Sequence, residues 1–124
     1  MIIAVDYDGT VVKHKYPLVG DDCPYAVDVL KELIAHGHQL ILWTMRSGKE
    51  LEDAINWYKE KNITLYGINN NPQQHEWTSS LKAYAQLYID DASLNAPLTT
   101  DLEGNIHIDW VFVKNHLKKL GIIK

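Results

Sequence analysis

Asp6 and Asp8 stand two positions apart behind an uninterrupted apolar run, Ile2-Ile3-Ala4-Val5, and are followed by Gly9 and Thr10. Carboxylates are the side chains that bind hard cations, move protons and attack electrophilic centres. On an extended backbone side chains alternate, so Asp6 and Asp8 project to the same side. Like charges held that close are costly unless a cation or a shared proton relieves them. A buried strand that ends in such a pair reads as a site; the plainer alternative is an acidic turn capping the next segment. Gly9 frees the backbone to turn sharply beyond the strand. Other polar residues close other apolar runs. Thr44 follows the run 39–43, with Arg46 just beyond, and Asp90-Asp91 follow Leu87–Ile89, with Lys82 shortly before.

The elements that must position these residues alternate along the chain. Residues 2–5 are apolar without alternation, the pattern of a strand buried on both faces. Residues 12–20 form a polar connection, a candidate flap beside that strand. Pro24 marks a helix start, with Asp21 and Asp22 upstream. Ala26, Val27, Leu30, Leu33 and Ile34 give this helix an apolar face, and Gly37 stands just past its end. Ser47 and Glu50 match a capping box that opens a second helix. Its inward face is Leu51, Ala54, Ile55 and Tyr58, and Asn62 is its stop. Residues 64–68 read as a third strand, 69–77 as a loop, 79–86 as a short helix carrying Lys82, and 87–89 as a fourth strand. A last irregular or strand piece surrounds Ile106 and Ile108. Asp109 caps a final helix with Trp110, Val113, Leu117 and Leu120 inward and Gly121 as its stop. Strand and helix in alternation predict a parallel sheet with right-handed crossovers, and such sheets bind ligands at the carboxyl ends of their strands.

The bulk properties fit one soluble domain spanning 1–124. A net charge of −4 with scattered basic residues argues against nucleic acid as the main ligand. Cys23 is the lone cysteine, which excludes a disulfide framework or a thiolate metal centre. Neither a signal peptide nor a membrane span is expected, so the location expected is cytoplasmic.

Asp6-Tyr7-Asp8-Gly9-Thr10-Val11 resembles the first motif of the haloacid dehalogenase (HAD) superfamily, whose members are mostly magnesium-dependent phosphohydrolases. Thr44, Lys82 and Asp90 with Asp91 are similar to the later motifs, in the family's order and over nearly the whole chain. The proline that often follows the family's lysine is Ala83 here. The resemblance implies a three-layer, Rossmann-like α/β fold with a mostly parallel central sheet and helices on both faces. The stretches where the family inserts a cap are already used, so no cap domain is expected. It further implies a phosphomonoesterase that forms an aspartyl-phosphate on Asp6. Mg²⁺ would be held by Asp6, the backbone carbonyl of Asp8 and Asp90, with Asp91 reaching the metal through water or holding Asp90 or Lys82 in place. Asp8 would move the proton. Thr44, Lys82 and the backbone around Tyr7, Asp8 and Gly9 would hold the phosphoryl oxygens. Arg46 would bind substrate phosphate or pair with an acidic residue such as Glu50.

The partner expected is a small phosphorylated substrate; an open site of this kind is expected either to hydrolyse small phosphates slowly and broadly or to be covered by a neighbouring subunit of a homo-oligomer or by a large substrate. His14, His75 and Trp77 are candidates for its rim, whereas His36, His38 and His116 read as surface residues. Two other readings remain: a receiver-like phosphoacceptor domain, for which the third strand lacks a terminal carboxylate, and a catalytically silent binding module. Taken singly, Thr44 also fits a helix cap and Lys82 a solvated lysine.

Overall fold

The computed structural model describes residues 1–124. Strands β1 (Ile2–Val5), β2 (Gln39–Leu42), β3 (Gly67–Ile68) and β4 (Leu87–Ile89) form one parallel sheet in the order β3-β2-β1-β4. Helices α1 (Ala26–Ala35) and α2 (Gly48–Glu60) make the crossovers from β1 to β2 and from β2 to β3. The chain then returns to the far side of β1 to form β4. A separate antiparallel hairpin, β5 (Leu98–Thr100) and β6 (Ile106–Ile108), leads into α3 (Trp110–Lys119). Because all four sheet strands are parallel, their carboxyl ends lie along one edge, and β1 sits where the strand order reverses.

Strand alternation distributes the core. Ile3, Val5, Leu40 and Leu42 turn toward the three α-helices and pack with Val29, Leu33, Ala54, Trp57, Trp110 and Val113. Ala4 and Ile41 turn the other way and meet Ala85, with Tyr66 and Tyr88 beside them. The layer on that second face is the segment after β3, which contains a single 3-10 turn (Gln74–Glu76). This is a three-layer α/β architecture without a cap. No helix is long and apolar enough to cross a membrane.

The helix ends follow the sequence closely. Gly37, Asn62 and Gly121 take φ of 84°, 58° and 75°, the left-handed conformation expected just beyond a helix. Each ending carries the paired hydrogen bonds of a Schellman motif. After α1, His38 N donates to Leu33 O and Gly37 N to Ile34 O. After α2, Ile63 N donates to Tyr58 O and Asn62 N to Lys59 O, and after α3, Ile122 N donates to Leu117 O and Gly121 N to Lys118 O.

Three expectations need correction. Ser47 precedes α2, but its hydroxyl accepts no capping hydrogen bond. Gly48 enters at φ 53°, which turns the backbone away from the geometry the box requires. Residues 79–86 are not helical. The buried side chain of Gln74 takes their backbone groups instead, donating to Ser80 O and Lys82 O and accepting from Tyr84 N. Leu120 is more than half exposed, because the helix has already ended there. Trp57 and Val29 supply core contacts that the periodicity did not single out.

The two N-caps make a controlled comparison. Asp109 Oδ1 accepts from both Val111 N and Phe112 N at 3.1 Å. Asp109→Ala is expected to cost about 1 kcal/mol in a urea unfolding experiment. Ser47→Ala, with no hydrogen bond to lose, is expected to shift the midpoint by no more than a few tenths of that.

Candidate functional site

The register of β1 against β4 creates the central feature. Val5 pairs with Ile89, so the next residues, Asp6 and Asp90, leave the sheet side by side. Asp6 N donates to Ile89 O at 2.9 Å, which fixes that junction. Asp6, Asp90 and Asp91 each offer a carboxylate oxygen, and all three oxygens lie within 4.8 Å of one another. The carboxyl ends of β1, β2, β3 and β4 border a cleft of about 320 Å³, lined by Asp6, Trp43, Thr44, Met45, Asn69 and Asp90.

Thr10 organises the acidic cluster from inside. It is fully buried, its hydroxyl donates to Asp6 Oδ2 at 2.7 Å, and the same oxygen accepts from Asp91 N at 3.1 Å. The other Asp6 oxygen has no protein donor. Trp110 Nε1 donates to Thr10 O at 2.7 Å, tying α3 to this turn. Asp90 Oδ1 accepts from Ala92 N, and His14 Nε2 lies 3.0 Å from Asp91 Oδ2. Gly9, at φ 80°, passes so close to His14 and Asp91 that a Cβ would collide with both. Its N–H is already given to Val12 O, so Gly9 shapes the turn and does not face the cleft with a donor. The N–H groups of Tyr7 and Asp8, by contrast, donate to no protein acceptor.

Partial burial pushes the Asp6 carboxyl up from its ordinary 3.8 to about 7. The Thr10 hydroxyl opposes that rise, and the charges of Asp90 and Asp91 add to it. A set of hard oxygen donors in that condition suits a divalent cation of the Mg²⁺ or Ca²⁺ type. The carbonyl of Asp8 accepts no hydrogen bond and remains open as a further ligand.

Asp8 itself is engaged elsewhere. Arg46 clamps it with Nε to Oδ2 and Nη2 to Oδ1, both at 2.8 Å. The guanidinium is buried, and its remaining donors go to the carbonyls of Pro17, Leu18 and Glu50. The rings of Tyr7 and Tyr16 lie 5.1 and 5.3 Å from its carbon. Of the two roles expected for Arg46, pairing with an acid is the one observed, the acid being Asp8. The guanidinium has no donor left for substrate. Tyr7 likewise turns its side chain into the core, against Trp57 and Tyr58.

Thr44 borders the cleft as expected. Its N–H donates to Asn69 Oδ1 at 2.8 Å and its hydroxyl oxygen accepts from Arg46 N, which leaves the hydroxyl proton uncommitted. It does not cap α2. Lys82 is exposed, does not line the cleft, and lies 5.6 Å from the centroid of Tyr88. His14 joins the site through Asp91. His75 and Trp77 stand on the loop beyond Asn69 and do not line the cleft.

Thr10 and Asn69 are the residues that sequence reasoning passed over. Thr10 was visible as part of the opening motif, but its bridging depends on the turn at Gly9. Asn69 had one signal, its position at the carboxyl end of β3 beside the other site residues.

The raised Asp6 carboxyl makes stability depend on pH. Between about pH 4 and pH 7 the folded chain keeps a proton that the unfolded chain has lost, so stability falls as pH rises through that window and levels off above it. In metal-free buffer at pH 8, Asp6→Asn is expected to be more stable than the parent by roughly 1–2 kcal/mol, after discounting for solvent in the cleft. The two should converge below pH 4. Thermal denaturation across that range measures it, and a parent at least as stable at pH 8 contradicts it.

No family model matches this chain, and no curated protein does. A solved structure does match: a conserved protein encoded by a locus of Bacteroides thetaiotaomicron, 38% identical, with a TM-score of 0.77, covering 96% of this chain and 90% of that one. At that identity and coverage, the chain belongs to the same family as the conserved Bacteroides thetaiotaomicron protein.

Proposed function

We propose that this chain is a Mg²⁺-dependent phosphomonoesterase of the HAD type, acting in the cytoplasm through an aspartyl-phosphate on Asp6. The observation that carries the reading is the convergence of Asp6, Asp90 and Asp91 beside a cleft that Thr44 also borders. Asp6 has one oxygen fixed by Thr10 and one without a donor, the arrangement a carboxylate nucleophile needs. That oxygen attacks phosphorus as the bond to the leaving oxygen breaks. Water then attacks the same phosphorus, releasing inorganic phosphate and restoring Asp6. The N–H groups of Tyr7 and Asp8 and the Thr44 hydroxyl are the donors at hand for the equatorial oxygens. A Mg²⁺ held by Asp6, Asp90 and the Asp8 carbonyl, with Asp91 beside them, would supply the charge that lets a carboxylate approach a phosphate.

Proton transfer belongs to Asp8, and it carries a condition. Both Asp8 oxygens accept from Arg46, so giving a proton to a leaving alkoxide competes with that ion pair. Aryl phosphates, whose leaving groups need little protonation, escape the competition. Lys82 does not line the cleft, and its ammonium lies 5.6 Å from the Tyr88 ring centroid, so it is left without a role in this step. The phosphoacceptor alternative would require a carboxylate at the end of β3, where Asn69 stands.

With phenyl phosphate as substrate, hydrolysis is expected with Mg²⁺ and to vanish in EDTA. Asp90→Asn removes a charged ligand while keeping its shape, and is expected to raise the Mg²⁺ concentration for half-maximal rate at least tenfold. Undiminished turnover in EDTA would overturn the reading.

A further inference from the structure

Asn69 borders two cavities. One is the acidic cleft; the other, also about 320 Å³, is enclosed by the segment from Asn69 to Ala83. The second differs sharply in chemistry, since no Asp, Glu, Lys or Arg lines it and only two of its lining residues are apolar. Its frame is rigid. Asn71 Nδ2 donates to Tyr84 O, and Gln74 is fully occupied by Ser80, Lys82 and Tyr84.

The frame leaves a set of neutral groups uncommitted. Asn69 gives its oxygen to Thr44 N but keeps its NH₂ free. The amide of Asn70 and the hydroxyl of Ser79 have no partner within the protein, and Thr78 accepts from Ser80 N while keeping its own proton. A lining that offers both donors and acceptors without charge suits groups that are themselves both donor and acceptor. Hydroxyls are such groups. A second phosphate or a carboxylate would find no lysine or arginine there, only His75, whose Nδ1 lies 3.0 Å from Pro72 O, and an alkyl chain would bury little apolar surface.

We propose that the leaving group of the substrate is a neutral, hydroxyl-rich carbon chain, a sugar or polyol, seated between Asn69 and Ala83 while its phosphate lies against Asp6. The inference rests on the phosphomonoesterase reading and adds its substrate class. Asn69 borders both cavities and gives its oxygen to Thr44 N on the phosphate side. The exposed positions Asn70 and Ser79 then discriminate among phosphate esters and do not touch the phosphorus.

The test compares two six-carbon alkyl esters; the neighbouring hydroxyls of a polyol make it the better leaving group in any site, so the deciding quantity is how far the preference falls when the proposed seat is removed. With Mg²⁺, kcat/KM is measured for a hexitol phosphate and for hexyl phosphate, with phenyl phosphate as a check on the phosphomonoesterase reading. The expected preference for the hexitol ester is roughly tenfold or more, falling severalfold in the double variant Asn70→Ala, Ser79→Ala. Circular dichroism verifies that the variant is folded. Hydrolysis of phenyl phosphate with equal rates for the two six-carbon esters, or a preference untouched by the double variant, overturns the polyol inference and leaves the phosphomonoesterase standing. Failure to hydrolyse any of the three overturns both.

Discussion

Three carboxylates pushed toward one point are the constraint on which the rest of the structure depends. The parallel register of β1 and β4 leaves no freedom in the matter, because pairing Val5 with Ile89 delivers Asp6 beside Asp90. The apolar residues that hold the register, Ile3, Val5 and Ile89, are buried in the helix-side core. A slip by one residue would turn every core side chain to the opposite face. Packing thus supplies the force that holds like charges together, and Thr10 and His14 partly relieve the repulsion. Burial is the larger cause of the upward shift of Asp6, and the repulsion that remains from Asp90 and Asp91 adds to it; a bound cation would oppose both.

A second charge pair governs what the site can do. Arg46 and Asp8 join the end of β1 to the connection at Pro17 and Leu18 and to the first turn of α2. Truncating either partner would leave an uncompensated charge at a largely buried place. Asp8 therefore has both a structural and a chemical claim on it. In the chemistry proposed here, the ion pair with Arg46 and the proton transfer compete for the same carboxylate.

Much of this was legible in the sequence. Apolar runs ending in polar residues marked β1, β2 and β4, and the carboxyl-end rule placed Asp6, Thr44 and Asp90 on one edge before any coordinates. Gly37, Asn62 and Gly121 marked their helix ends because left-handed backbone has a strong residue preference. What stayed hidden was decided at long range. The bonding of Arg46 to Asp8 spans 38 positions, and no local pattern reports which acid an arginine finds. The segment 79–86 reads as a helix because nothing nearby reveals that one glutamine, Gln74, captures two of its carbonyls and one of its N–H groups. The same capture fixes the Lys82 carbonyl, and the ammonium lies over Tyr88.

The central claim is that Asp6 forms a bond to phosphorus, and rapid-quench intact-mass spectrometry addresses it most directly. The parent chain, the Asp6→Asn variant and the Asp8→Asn variant are mixed with phenyl phosphate and Mg²⁺, quenched in acid within milliseconds to seconds, and weighed. The account predicts one phosphoryl adduct that accumulates on Asp8→Asn, where breakdown is slowed about a hundredfold or more, appears transiently on the parent, and is absent from Asp6→Asn. An adduct on Asp6→Asn, or none on any of the three while phenyl phosphate is being consumed, would contradict it.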